Sequence, residues 1–247
     1  DKIDYLSICS PNHLHDAHIR LALRLGADAI CEKPIVLNPW NLDLLQELEK
    51  ESGNKIYTVL QLRVHPSLIK LKEKIQKEAI EKKKDILLTY ITSRGSWYHH
   101  SWKGNLANSG GIATNIGVHF FDLLCWLFGS MQNYEVHYSN NYKMSGYLEL
   151  EKANVKWFLS IDGNDLPEEA KGKKTTYRSI QIDSEEIEFT EGFTDLHTKV
   201  YENILEGKGY GIEEARNSIE IVYEIRNSAV TNKKENYHPI LLNQLKD

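Results

Sequence analysis

Strand-like and helix-like segments alternate at a regular spacing over the first 62 residues of the chain. Strands are predicted at residues 3–9, 28–32 and 55–62, and the two helices between them end at Gly26 and Gly53. Strands that are joined by helices of this length pair in parallel, with right-handed crossovers. The first part of the chain therefore predicts an α/β domain built on a parallel sheet.

The pattern changes after a charged helix predicted around residues 67–84. Short β-prone segments separated by turn residues follow, at residues 85–93, 134–138, 143–150, 154–161, 175–182 and 185–190, and helices close the chain near 195–206 and 212–227. Such a meander favours a mostly antiparallel, open sheet. We therefore divide the chain into an α/β part, residues 1–66, and an α+β part, residues 67–247.

Composition excludes several classes of protein. The 247 residues are 41% hydrophobic and 10% aromatic, which is typical of a globular protein, and the net charge of -5 gives no general attraction to nucleic acid or to an anionic membrane. No apolar stretch approaches the length of a membrane span. Cys9, Cys31 and Cys125 lie in apolar surroundings without CxxC spacing, which predicts buried, reduced thiols in a cytoplasmic protein. The histidines at 13, 15 and 18 lack an acidic partner, so no metal site is expected.

Lys33 is the first candidate for chemistry. It follows the short apolar run 29–31 and directly precedes Pro34, which cannot donate a hydrogen bond to a sheet, so the strand must stop there. Ligands of open α/β sheets bind outside the carboxyl ends of the strands. Lys33 is therefore either a reactive amine at a cleft or a lysine that only caps a strand.

Polar residues follow the other predicted strands at the same edge. Ser10, Pro11 and Asn12 follow the first strand, and Glu32 precedes Lys33 at the end of the second. The third is predicted to end in polar residues as well, at Gln61 and Arg63. An ordinary helix-capping turn explains Asn12 alone, but three consecutive strands that bring polar groups to one edge favour a binding site.

A second group of polar residues lies on one predicted helix. Asn115, His119 and Asp122 recur at spacings of four and three, so they share one helix face, and Gly110-Gly111 precedes them. A histidine oriented by a carboxylate one turn away can act as a general base at neutral pH. The alternative is a core histidine that is hydrogen-bonded to Asp122.

Taken together, these motifs resemble a known family. Ser-Pro-Asn-x-x-His at 10–15, Glu-Lys-Pro at 32–34 and Gly-Gly…Gly-x-His-x-x-Asp at 110–122 resemble, in this order, the glucose-fructose oxidoreductase/inositol dehydrogenase (Gfo/Idh/MocA) family over essentially the whole chain. The branch most similar is that of the UDP-N-acetylglucosaminuronate 3-dehydrogenases of O-antigen and lipopolysaccharide sugar synthesis. That likeness rests on the stretches at 30–34, 59–63, 90–98, 113–120 and 191–197.

The resemblance implies an NAD-dependent sugar dehydrogenase. Residues 1–66 would be the C-terminal part of a Rossmann domain, and residues 67–247 a substrate-binding and oligomerisation domain. It implies that the cofactor is bound by Ser10, Pro11, Asn12, His15, Glu32, Lys33, Gln61 and Trp102. It implies that Lys33 and His119 face the sugar carbon that is oxidised. The candidate contacts of the UDP-sugar uronate are Lys33, Arg63, Tyr98, Asn115, His119, Tyr177, Arg178 and His197. Trp97 and Trp102 are either ligand contacts or core residues.

The implied reaction oxidises the C3 hydroxyl, with Lys33, His119 and Asp122 as the catalytic residues. His119 is expected to be the base and Lys33 to stabilise alkoxide character on the oxygen, although the reverse assignment stays open. The resemblance also implies a homo-oligomer, a dimer or tetramer, and a 2-keto acid as a second substrate. Another sugar dehydrogenase of the family, or a non-catalytic nucleotide-sugar-sensing or assembly domain, are the alternatives.

The chain departs from the family pattern at two points. Asn115 stands where many members carry an aspartate, so it can orient a sugar but cannot act as a base. The chain contains no Gly-x-Gly-x-x-Gly turn, which in a Rossmann domain belongs to the first βαβ units, roughly 60 residues, expected ahead of Asp1. We therefore expect weak cofactor affinity from these 247 residues alone, and the choice between NAD and NADP is left open.

Overall fold

The computed structural model describes residues 2–78, 82–187 and 195–246. The N-terminal elements are β1 (Tyr5–Ile8), α1 (His15–Arg24), β2 (Asp28–Cys31), α2 (Pro39–Ser52) and β3 (Ile56–Thr58). The strands pair in parallel in the order β1-β2-β3. This arrangement confirms the predicted α/β part with a parallel sheet.

Local sequence explains the bounds of α2. Pro39 occupies the first turn, where a missing N–H leaves no hydrogen bond unmade. Leu42 and Leu45 recur at helical spacing and are buried in the core. Gly53 ends the helix with a φ of 72°, a left-handed conformation that glycine adopts without steric cost.

The third strand is shorter than predicted. It ends at Thr58, and Gln61–Val64 form a turn of 3-10 helix instead of continuing the strand. Leu62 and Arg63 are buried in this turn, while Gln61 stays partly exposed. The prediction that Gln61 belongs to the third strand is therefore wrong, because the chain already turns toward the second half.

The second half begins with α3 (Pro66–Lys77), β4 (Lys84–Thr92), α4 (Trp97–His100), α5 (Leu106–Ser109) and α6 (Val118–Phe128). It continues with β5 (Met131–Ser139), β6 (Lys143–Leu150), β7 (Ala153–Ser160), β8 (Thr176–Ile182), β9 (Glu185–Glu186), α7 (Leu196–Leu205), α8 (Ile212–Asn227) and α9 (Pro239–Gln244). Within the described ranges the strands form one sheet in the order β5-β6-β7-β4-β8-β9. Only β4 and β7 pair in parallel there, which confirms the mostly antiparallel sheet.

Part of the predicted pattern lies outside the described residues. This applies to residues 188–190 of the predicted strand 185–190 and to residues 191–194 of the motif at 191–197.

Helix α6 lies in the core against the large sheet. Phe121 packs edge-on against Trp157 of β7, with ring centroids 5.6 Å apart. The helical stretch Leu106–Phe128 has the length and composition of a membrane span, and its most apolar 18-residue segment has a mean hydropathy of 1.4. However, 78% of that segment is buried inside the fold. The prediction that no apolar stretch approaches the length of a span is therefore wrong, because a mostly buried core helix can be equally apolar.

The three cysteines differ in their surroundings. Cys31 and Cys125 are buried and free, whereas Cys9 is exposed. The prediction of three buried thiols is wrong for Cys9.

Candidate active site

Lys33 lies just beyond the end of β2 and reaches the helix region of the second half. Its Nζ donates a hydrogen bond to the backbone carbonyl of Asn115 at 3.0 Å. Burial lowers the pKa of Lys33 to about 8; Glu32 opposes this shift, and the positive charges of Lys103 and Arg94 add to it. Lys33 is thus an ammonium group at neutral pH whose proton is held less tightly than that of a surface lysine.

Asn115 lies in a π-helical turn, Ala113–Gly117, that leads into α6. Such turns occur frequently at functional sites. The Asn115 Nδ2 donates a hydrogen bond to the Oη of the buried Tyr98 at 2.7 Å. Asn115 therefore holds Lys33 through its carbonyl and Tyr98 through its amide.

His119 follows on the first turn of α6 and is partly exposed. Burial lowers its pKa well below the usual value, and the positive charges of Lys33, His197 and Arg178 lower it further. The imidazole is therefore neutral at neutral pH. Within the described ranges no hydrogen bond occupies its ring, so a ring nitrogen is free to accept a proton.

Asp122 pairs with Arg63 and not with His119. The Arg63 Nε and Nη2 donate hydrogen bonds to the two carboxylate oxygens of Asp122 at 3.0 and 2.8 Å, and Nη2 also donates to the carbonyl of Glu214 at 2.7 Å. Both side chains are enclosed, and the Arg63 guanidinium lies 5.1 Å from the ring centroid of Tyr210. The pair joins α6 and α8 to the parallel half, so Asp122 does not orient His119; the catalytic role of Asp122 and the sugar-binding role of Arg63 stay predictions.

Two residues predicted to touch the cofactor are enclosed. His15 is 1% exposed; its Nδ1 lies 2.7 Å from the carbonyl of Pro34 and its Nε2 lies 2.8 Å from the carbonyl of Ser10. The buried Asn12 donates through Nδ2 to the carbonyl of Ser109 at 2.9 Å. Both side chains hold neighbouring loops in place, and their predicted contacts with the cofactor stay predictions.

Other predicted cofactor residues remain accessible at the sheet edge. Ser10, Pro11, Glu32 and Gln61 are partly exposed. Glu32 faces His197, with an Oε1 to Nε2 distance of 3.2 Å. Such polar groups past the carboxyl ends of β1 to β3, beside Lys33, fit the nicotinamide ribose end of a dinucleotide.

The segment that carries Trp102 is also accessible. The Lys103 ammonium lies 5.6 Å from the ring centroids of both Trp97 and Trp102. Trp97 is 50% exposed, so the alternative that it is a core residue is wrong. These aromatic faces are available to stack on a planar ring.

Neighbouring residues of β8 face opposite ways. Arg178 lies opposite Tyr90 of β4, with its guanidinium 5.6 Å from the Tyr90 ring centroid, and its charge acts on His119. Tyr177 packs instead with the cluster that contains Ile91. Successive strand residues point to opposite faces, so Tyr177 and Arg178 do not face the same side of the sheet; their predicted contacts with the sugar stay predictions.

The sequence reasoning missed Arg94. Its charge acts on Lys33 and on Tyr98. The available signal was its position within the stretch 90–98, beside Tyr98. No group of three His, Cys, Asp or Glu side chains that could hold a metal ion occurs among the described residues.

Two models of one protein family match consecutive parts of the chain. The model of the Gfo/Idh/MocA oxidoreductase family, C-terminal alpha/beta domain, matches residues 72–239, and that of its NAD-binding Rossmann fold matches residues 1–60. The chain belongs to the Gfo/Idh/MocA oxidoreductase family. The predicted family and two-part fold are confirmed.

Two solved structures are similar over most of the chain. The WlbA (WbpB) dehydrogenase from Thermus thermophilus in complex with NAD and UDP-GlcNAcA is 54% identical, with a TM-score of 0.91, covering 96% of this chain and 76% of that one. The same dehydrogenase with NAD and alpha-ketoglutarate is 55% identical, with a TM-score of 0.92 and the same coverage.

A curated relative is more distant. The oxidoreductase YteT of Bacillus subtilis is 28% identical over 170 residues, which are 68% of this chain and 37% of that protein. The chain spans less than half the length of the curated relatives that it matches.

Proposed function

We propose that the protein oxidises the C3 hydroxyl of UDP-N-acetylglucosaminuronate to the 3-keto sugar, with NAD as the oxidant. The observation that carries this proposal is the desolvated Lys33 ammonium beside the neutral His119. A protein that is 54% identical and has the same fold was crystallised with NAD and UDP-GlcNAcA, which supports the choice of ligands. A cytoplasmic location and a role in the synthesis of O-antigen or lipopolysaccharide sugars stay predictions.

The cofactor supplies one piece of chemistry: NAD, when bound, takes up the hydrogen and electron pair of C3. Ser10, Pro11, Glu32 and Gln61 would hold its nicotinamide ribose end, with Trp102 available for stacking. His119 accepts the hydroxyl proton on a ring nitrogen, because its imidazole is neutral at neutral pH.

Lys33 supports this proton transfer electrostatically. One of its three N–H groups is used by the Asn115 carbonyl, which leaves donors for the C3 oxygen, where negative charge grows as the proton leaves. A Lys33 pKa of about 8 leaves part of the lysine neutral at neutral pH, so the reverse assignment, in which a neutral Lys33 is the base, stays open. The dependence of the rate on pH separates the two assignments.

A second substrate and self-association complete the proposal. We propose that a 2-keto acid reoxidises the reduced cofactor, because a similar dehydrogenase was crystallised with NAD and alpha-ketoglutarate. A homo-oligomer through the outer face of the large sheet remains a prediction.

Turnover of the complete gene product tests the function. We expect NADH to form when UDP-N-acetylglucosaminuronate and NAD are supplied, and Lys33→Ala or His119→Ala to lower kcat by about 100-fold or more. Lys70→Ala, at an exposed position of α3, is the matched control and should leave kcat unchanged. Near-normal rates in both site variants would contradict the proposal, and sugar binding without oxidation would support a sensing domain instead.

A further inference from the structure

A cavity of about 280 Å³ lies beside the loop that carries Tyr98 and Lys103. Its wall also includes Gly110, Gly111, Asn141 and, from the end of α8, Arg226. The charged side chains that line it, among the described residues, are the two cations Lys103 and Arg226, without an acidic residue. The cavity is therefore positively charged.

Most hydrogen-bond donors of the Arg226 guanidinium have no partner among the described residues. Its Nη2 donates a hydrogen bond to the Asn38 Oδ1 at 2.8 Å, and its guanidinium lies 5.2 Å from the ring centroid of Tyr223. No carboxylate in residues 2–78, 82–187 or 195–246 pairs with it, and burial lowers its pKa. A guanidinium has five N–H donors, so most of them remain unused.

Lys103 is held by aromatic faces and not by an anion. It lies over the Trp97 and Trp102 rings, and no described carboxylate forms an ion pair with it. Bringing two cations to one partly enclosed space without a counter-charge is unfavourable. A bound anion would offset this cost.

The cavity adjoins the Lys33 site. Tyr98 is part of its wall, and the Tyr98 Oη accepts a hydrogen bond from Asn115, whose carbonyl binds Lys33. The charge of Lys103 is one of those that lower the pKa of Lys33. The cavity and the Lys33 site are therefore linked through Tyr98 and Asn115, so a ligand with its sugar at Lys33 can direct an anionic group toward the cavity.

We propose that this cavity binds the diphosphate of the nucleotide sugar, with Lys103 and Arg226 as the cations that hold its oxygens. The inference rests on the proposed function, because it assumes that the sugar is linked to a nucleoside diphosphate. An arginine fork and a lysine point charge are both well suited to phosphoryl oxygens. The amide of the exposed Asn141 offers a further donor at the rim.

Calorimetric titration of the complete gene product, without NAD, tests the assignment with UDP, pyrophosphate and uridine as probes. Lys103→Gln and Arg226→Met should each weaken UDP and pyrophosphate binding by about tenfold or more, as expected when a hydrogen-bonded charge is lost, and leave any uridine binding unchanged. Arg226→Lys should retain more affinity than Arg226→Met because it keeps the charge. Lys70→Gln is the matched control and should bind UDP like the wild type.

Two results would overturn the assignment: unchanged UDP affinity in both variants, or a dependence on Lys103 and Arg226 for 2-oxoglutarate but not for UDP. Failure of the proposed function gives a different pattern. If the protein binds UDP through Lys103 and Arg226 but does not oxidise the sugar, the cavity assignment stands and the reaction is wrong. If it oxidises the sugar with an unchanged KM in both variants, the reaction stands and the cavity assignment is wrong.

Discussion

The Lys33 Nζ donates a hydrogen bond to the Asn115 carbonyl at 3.0 Å, although the two residues lie 82 positions apart in the chain. This contact joins the carboxyl edge of the parallel sheet to the π-helical turn that precedes His119. It therefore sets the position of one proposed catalytic group relative to the other.

The dependence of the rate on pH should have two limits. At high pH, kcat should fall as Lys33 loses its proton around pH 8, because the ammonium form stabilises the alkoxide. At low pH it should fall only well below the usual histidine pKa, where His119 becomes protonated. Lys33→Arg, which stays charged, should remove the high-pH decline, and a wild-type rate that rises through pH 8 would identify Lys33 as the base.

Replacement of Lys33 should also change stability. The folded-state pKa is lowered from 10.5 to about 8, so between these values the unfolded chain binds more protons and the free energy of unfolding rises with pH. Below about pH 8, the buried Lys33 charge lowers the free energy of unfolding by about 3 kcal/mol at most. Lys33→Met should therefore raise the free energy of unfolding at neutral pH, and this gain should shrink as the pH rises through the window. Urea denaturation across the pH range measures it, and a gain that grows with pH would contradict the account.

The Arg63–Asp122 pair should behave as a structural unit. Arg63→Met or Asp122→Asn alone leaves the other group buried without its partner, which should lower the free energy of unfolding by about 3–5 kcal/mol. The double variant should lose much less than the sum of the single losses. A double-mutant cycle by urea denaturation measures this coupling, and strictly additive losses would show that the pair contributes nothing jointly.

Gly117 lies in the π-helical turn and leaves no room for a side chain. A Cβ there would lie 2.6 Å from Leu159 Cδ1 and 2.9 Å from Phe121 Cε2. Gly117→Ala should cost about 1–3 kcal/mol of stability and lower kcat, because it displaces the start of α6 and with it His119. Gly211→Ala, whose nearest atom would be the Glu214 Oε2 at 3.4 Å, is the control. Equal losses of stability and kcat in both variants would contradict this explanation.

Elements with a clear local pattern could be predicted from the sequence. Helix α8 and strand β6 have the predicted bounds, residues 212–227 and 143–150, because apolar periodicity and turn residues define them. The third strand was predicted too long, because the buried Leu62 of the 3-10 turn continues the same apolar run. Local composition cannot show where such a run leaves the sheet.

The site was predictable only in part. The positions of Lys33 and His119 follow from a strand end and a helix spacing, both of which are local. The partner of Asp122 is Arg63, which lies 59 positions earlier, and helix spacing alone favoured His119 in its place. Neither the contact of Lys33 with Asn115 nor the cations around the cavity could be derived from spacing, because tertiary packing brings them together.

The most direct test of the account follows the hydrogen of the sugar carbon. The complete gene product is incubated with NAD and UDP-N-acetylglucosaminuronate that is deuterated only at C3, and the reduced nicotinamide is analysed by mass spectrometry. The account predicts that deuterium appears on the nicotinamide with wild-type protein and is greatly reduced with Lys33→Ala and His119→Ala. Unlabelled NADH from the wild-type protein, or no NADH at all, would contradict it.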